Sequence, residues 1–185
     1  MKMKKNRLFH LTLCALFAAL TAVMAQVSIP IGPVPICLAT LAVYLAGGIL
    51  GAAGGVLSQV VYLLLGAVGV PVFAFFHGGI AAIAGPTGGY LVGYIVCAWI
   101  TGIFADHFGR KAAPLVIGMV LGTAACYFLG TAWFMFTTKR GLAESLALCV
   151  LPFLIGDTAK IVISVIAVPR LFKIVSHFSE KSEKA

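Results

Sequence analysis

From Leu8 to Ala105 the chain contains no Asp, Glu, Lys or Arg. That stretch is more than half of its 185 residues. A water-soluble fold needs charge on its surface, so a segment this long without any is built for lipid. Composition agrees: 62% of residues are hydrophobic, 10% are charged, and the mean hydropathy is +1.11. These values belong to integral membrane proteins. At roughly 20 residues per crossing, the length allows about six or seven crossings and no separate soluble domain. The expectation is therefore an all-α membrane bundle, one membrane-embedded domain over residues 1–185. A basic N-terminal tail, 1–7, and a charged C-terminal tail, 172–185, flank it.

The net charge of +8 would suggest nucleic acid in a soluble protein. Here the charges cluster at the chain ends and in short polar stretches, so they report membrane topology and not a nucleic-acid partner. Cys14, Cys37, Cys97, Cys126 and Cys149 are scattered without metal-ligand spacing. They read as small packing residues, with no metal or cofactor implied. No Gly-x-x-x-x-Gly-Lys-Ser/Thr loop is present, so nucleotide hydrolysis by that route is excluded. No nucleophile–base pair is visible either, and an enzyme is not expected. The apolar run after Lys2, Lys4, Lys5 and Arg7 is long and leads into more membrane, which reads as an uncleaved first helix.

The breakers divide the chain into six spans. Leu8–Val27 is the first. The prolines of Ile29-Pro30-Ile31-Gly32-Pro33-Val34-Pro35 forbid regular helix and predict an extended connection. A second span runs from Ile36 to a tight turn at Gly51–Gly55, and a third from Val56 to Gly66. Gly66–Gly89 is apolar yet full of helix breakers. Such backbone is tolerated near a membrane only where protein buries it or it lines a cavity, so it reads as a loop folded over the bundle. Tyr90–Ala105, Pro114–Phe136 and Ser145–Leu171 complete the spans, joined by loops Asp106–Lys111 and Thr137–Glu144. With both termini in the cytoplasm, the basic N-terminus, Arg110/Lys111 and Arg170/Lys173 lie inside, and only Lys139 and Arg140 outside. The three irregular loops then share the outer face as walls and lid of a pocket.

Small residues recur at four-residue spacing: Ala15/Ala19 and Ala18/Ala22, then Gly47/Gly51/Gly55, Gly89/Gly93 and Gly118/Gly122. In lipid this spacing lets helix backbones approach closely. Either the contacts lie within the bundle or they form a docking face for a partner. The overlapping alanines of the first helix are the better docking candidate.

Asp157 and Lys160 are three apart, on one face of the last span. Each costs roughly 2.5–3.5 kcal/mol to place at mid-membrane. They are either an ion pair that fixes the helix or the recognition site for a polar solute, Asp157 accepting from N–H groups and Lys160 donating to a carbonyl or carboxylate. His77 is the other polar residue in an apolar setting. It is either a hydrogen-bonded structural residue or, beside Gly78, a ligand contact. Tyr44, Phe73 and Tyr90 suit an aromatic lining or ordinary packing alike.

At this point the sequence resembles a known family. Gly32-Pro33-Val34-Pro35 followed by Thr40-Leu41-Ala42-Val43-x-Leu45-Ala46-Gly47 is similar to the BioY family. So are Tyr62–Gly66 with its continuation to Ala74, Gly85-Pro86-Thr87-Gly88-Gly89-Tyr90, and Gly156-Asp157-x-x-Lys160. These are the biotin-binding S components of energy-coupling-factor (ECF) transporters. The resemblance covers nearly the whole chain in order. It implies a six-helix S-component fold, an outward-facing biotin pocket roofed by the loop before the fourth helix, and no enzymatic activity. It also implies partners: a transmembrane coupling protein (the T component) and two ATP-binding cassette ATPases. The family's alanine spacing maps onto Ala15/Ala19 or Ala18/Ala22, and its acid and base onto Asp157 and Lys160. Two positions depart from it. Ala39 stands where the family often has Gln, and Leu91 where some relatives have an Arg suited to the biotin carboxylate. His77 is the candidate to share that role. The remaining readings are an S component for another small vitamin or a non-transporting membrane scaffold.

Overall fold

In a computed structural model the described residues are 7–182, and they are mostly helical. Lys2, Lys4 and Lys5 of the basic tail lie outside them. Helix α1 is Arg7–Gln26, α2 Ala39–Ala67, α3 Ile80–Ala84, α4 Gly88–Phe108, α5 Ala112–Thr138, α6 Leu142–Cys149 and α7 Leu151–Ser182. Among the described residues, five segments are long and apolar enough to cross a membrane: α1, α2, α4, α5 and a segment spanning α6 and α7.

The count becomes six because α2 is two crossings. Gly51 has φ 77° and ψ −174°, a break inside the apparent helix. A Cβ built on Gly55 would meet the Gly47 Cα at 2.9 Å. Residues eight apart in one straight helix would be about 12 Å apart. The chain therefore folds back at Gly51, leaving arms 39–50 and 52–67 packed against each other through glycines. The turn is tighter than the expected Gly51–Gly55, because Ala52 onward is already helical. The first arm is only about 18 Å long. Non-helical chain completes that crossing, and this leaves room for a site.

A charged staple holds the hairpin turn. The Asp106 carboxylate accepts from the Ala52 N–H (2.9 Å), capping the second arm. Arg110 donates to the Gly48 and Ile49 carbonyls that end the first arm (3.0 and 3.4 Å), and pairs with Asp106 at 3.3 Å. Burial lowers the Arg110 pKa, against the opposing pull of Asp106. The Arg110 guanidinium also lies 3.7 Å from the ring centre of buried Phe172 on α7.

At the opposite end, Ser28–Ile29 (β1) pairs antiparallel with Ile36–Cys37 (β2), so the Pro-rich connection is the loop of a short hairpin. Gly66–Gly89 folds over the bundle as expected, around a 3₁₀ turn at Ala74–Phe76 and helix α3.

Four boundaries differ from the sequence reading. Helix α4 takes in Gly88 at its start and Asp106–Phe108 at its end, so the loop to α5 shrinks to 109–111. Glu144 lies in helix α6, not in a loop, and pairs with Arg140. A break at Val150 separates α6 from α7. Finally, α7 continues through Pro169 to Ser182, so most of the expected tail 172–185 is helix.

The glycine spacings resolve as contacts inside the bundle. A Cβ at Gly93 would meet Cys126 Sγ at 2.7 Å, and one at Gly122 the Cys97 carbonyl oxygen at 2.9 Å, joining α4 to α5. On α1 the two alanine stripes part company. Ala18 is buried in the core and Ala22 half-buried, while Ala15 and Ala19 are exposed. Ala18 thus packs inside the bundle, and the face left open is Ala15/Ala19.

Candidate binding site

The first arm of α2 begins at Ala39, below the β1–β2 hairpin, and α7 passes beside it. That places Thr40 against Asp157 and Lys160. Asp157 and Lys160 are only 3% and 5% exposed. Lys160 Nζ donates to Asp157 Oδ1 (2.7 Å), to Thr40 Oγ1 (2.9 Å) and to the Cys37 carbonyl (2.7 Å). All three donors of the ammonium are engaged. The Asp157 carboxylate also accepts from the Thr40 hydroxyl at Oδ1 (3.1 Å) and from the Tyr127 hydroxyl at Oδ2 (2.6 Å). The cluster is net neutral and well bonded, the condition under which a buried ion pair is tolerated. One lone-pair direction on Oδ2 is left over, since a carboxylate offers about four.

The cluster lies on the wall of a cavity of about 480 Å³. Aromatic rings form much of the rest. Tyr90 stacks on Phe153 (ring centres 6.4 Å, 16° between planes), and Tyr127 meets Phe153 edge-on at 6.4 Å. Tyr94 lies close by, its hydroxyl 3.5 Å from Cys37 Sγ. Pro33 and Pro35 of the hairpin loop and Gly85–Thr87 before α4 also reach the cavity. Over it lies the loop carrying Phe73, Phe75, His77 and Gly78. Its base is fixed. The Gly79 N–H donates to the Gly66 carbonyl (2.7 Å), and Phe73 N–H to the His77 carbonyl (3.0 Å). The Phe73 ring occupies the space a side chain at Gly66 would need, edge-on to Tyr62 at 5.5 Å. Any Cβ at Gly66 would collide with that ring.

Six of the seven expected ligand residues therefore share one cavity: Asp157, Lys160, His77, Phe73, Gly78 and Tyr90. Tyr44 does not. It is fully buried, its hydroxyl paired with Thr123, and it is set back from the cavity as a core residue. Of the three expected loops, Thr137–Glu144 contributes nothing to the cavity wall, and the other two join the helices in lining it. Thr40 and Tyr127 complete the polar cluster, yet sequence reasoning assigned neither a role. Thr40 stood inside a quoted motif. Tyr127 gave no signal, being one tyrosine in an apolar span.

A site with apolar aromatic walls and few polar anchors is the usual form for a small organic ligand. The family model described as the BioY family matches residues 1–177. The probable biotin transporter BioY of Pyrococcus horikoshii is 42% identical over 162 residues, 88% of this chain and 95% of that one. The biotin transporter BioY of Thermotoga maritima is 38% identical over 159 residues, 86% and 93% of the two chains. A solved crystal structure, the S-component for biotin from an ECF-type ABC transporter, superposes with a TM-score of 0.85 at 31% identity. It covers 93% of this chain and 95% of that one. An apolar six-crossing bundle, a roofed cavity with a buried acid–base cluster, and matches running nearly end to end lead to one assignment: the chain belongs to the BioY family.

Proposed function

We propose that this multi-pass membrane protein is the biotin-binding S component of an ECF-type importer. It captures biotin at the outer face and works with a T component and two ATP-binding cassette ATPases, having no enzymatic activity of its own. The observation that carries this is the neutral Asp157–Lys160–Thr40–Tyr127 cluster on the wall of an aromatic cavity. Biotin's ureido ring has two N–H donors and one carbonyl, its thioether ring is apolar, and its tail ends in a carboxylate. The cavity volume lies within the roughly 300–1,000 Å³ of small-molecule sites.

In this reading a ureido N–H donates to the free lone pair of Asp157. The ureido carbonyl replaces the Cys37 carbonyl on Lys160, the one neutral backbone partner among its three. Phe73 and Tyr90 pack against the rings, and Gly78 allows close approach of the loop. His77 is exposed at the loop and is the candidate on the cavity wall to offer a ring N–H to the carboxylate, since Leu91 carries no polar group. Ala15 and Ala19 form the face for the coupling protein. Arg110 and Phe172 mark the end opposite the loop, and the surplus of basic residues there supports an orientation with both termini in the cytoplasm.

Thermal melting of the purified chain with and without biotin tests the central reading. The expected result is a biotin-dependent rise in Tm, since a ligand that binds only the folded state stabilises it. No rise at saturating biotin sinks it.

A further inference from the structure

The loop over the cavity has a firm base and a strained tip. At the tip, Phe75 and Phe76 have φ of 58° and 59°, a left-handed conformation that L side chains adopt only when something holds them there. Phe76 is 71% exposed, so packing does not do the holding. Gln26, the last residue of α1, supplies the contact. Its Oε1 accepts from the Phe76 N–H (2.9 Å), and its Nε2 donates to the carbonyls of Phe73 (3.1 Å) and Val72 (3.2 Å). One side-chain amide thus meets three backbone groups across the turn, as a paired strand would. The same Nε2 also lies 3.2 Å from the Ala22 carbonyl, which keeps the side chain aligned with its own helix.

Among the described residues, Gln26 is the side chain bonded to the Phe76 N–H and the Phe73 carbonyl, and it shares the Val72 carbonyl with the Tyr62 hydroxyl (3.3 Å). The base is tied to the end of α2 through Gly66, Tyr62 and Phe73, whereas the tip is tied to α1. Gln26 does not line the cavity. It touches the cover, not the contents.

We propose that Gln26 is a positioning residue for ligand retention, its amide latching the 72–76 turn shut over the cavity. This rests on the biotin-binding reading. Removing the latch speeds release while leaving the Asp157–Lys160 cluster intact. The test uses the full chain in lipid nanodiscs with Gln26→Met, which keeps length and helix preference but makes none of these bonds. A second variant, Gln26→Glu, keeps the acceptor for Phe76 but turns a carboxylate toward the Val72 and Phe73 carbonyls. Two quantities are read: the dissociation rate of labelled biotin, and amide hydrogen exchange of the 72–78 segment without ligand. Both variants should release biotin about tenfold faster. Exchange should rise in 72–78 and stay unchanged in α5. Wild-type release, or wild-type exchange at 72–78, in both variants overturns the proposal. If the unaltered protein retains no biotin, the biotin reading fails instead, and exchange alone then decides whether Gln26 holds the turn.

Discussion

Lys160 has no spare donor and Asp157 has one spare acceptor direction, so the two residues do different work. Asp157 is open to a ligand as it stands, whereas Lys160 must exchange a partner. Asp157→Asn and Lys160→Ala should each weaken biotin binding by at least about tenfold, because a buried charge left unpaired costs roughly 2–5 kcal/mol. Equilibrium binding of labelled biotin measures this, and wild-type affinity in both would mark the cluster as purely structural. Thr40→Val should also weaken binding, since the hydroxyl both accepts from Lys160 and donates to Asp157. Leaving those groups short of a partner costs about 1–3 kcal/mol, and a melting curve without ligand should register the loss as well. The acid and base were legible in the sequence because charge in an apolar helix stands out. Thr40 was not, since threonine hydroxyls in helices usually bond to their own backbone, as Thr12 and Thr158 do here, and Tyr127 was not, since a tyrosine in an apolar span packs as readily as it binds. Tyr44 misled for a related reason: its partner, Thr123, comes from a helix remote in sequence.

Among the elements, the α2 hairpin shows what glycine spacing can and cannot reveal. The cluster Gly51–Gly55 signalled a reversal and the Gly47/Gly51/Gly55 spacing a close approach, but neither said which glycine turns. Gly51 does, at a backbone conformation that is essentially confined to glycine. A Cβ there would also lie 2.5 Å from the Asp106 carboxylate oxygens. Gly51→Ala should therefore lower stability by about 1–3 kcal/mol, read as a lower Tm in detergent. The same change at Gly141, where a Cβ meets nothing within 4 Å and φ is −69°, should be nearly silent. A wild-type Tm for Gly51→Ala would show that the turn is not under this constraint. The staple explains a boundary the sequence blurred. Asp106 reads as loop because it is the first acid after a long uncharged run, yet it is helical and caps a helix more than fifty residues earlier. Helix α6 was hidden because Arg140 and Glu144 look like one polar loop, whereas Arg140 lies just before the helix and pairs with Glu144 in its first turn.

At the scale of the molecule, the ligand cluster is built from α2, α5 and α7, whereas the exposed alanines lie on α1. Capture and coupling should therefore separate. Ala19→Trp should leave biotin binding by the isolated chain within about twofold of wild type, because surface changes seldom move stability by more than about 0.5 kcal/mol. It should abolish ATP-dependent uptake in cells that carry the coupling module, measured with labelled biotin. Loss of binding in this variant, or uptake at the wild-type rate, would contradict the assignment of that face. The crossing count, the Pro-rich wall and the covering loop were legible because helix breakers in an apolar background have few other uses. Which alanine stripe faces outward was not, since a rotation of about 100° per residue decides it and both stripes obey the same spacing.

The pinning of Phe73 at Gly66 has a consequence for how the cover opens. A cover hinged at both ends would swing as a flap of some twenty residues. With its base plugged into a glycine socket, this one has only a short tip to lift. Any opening of the cover is then expected to be confined to the exposed Phe75–Phe76 tip, with Phe73 staying in place as its anchor.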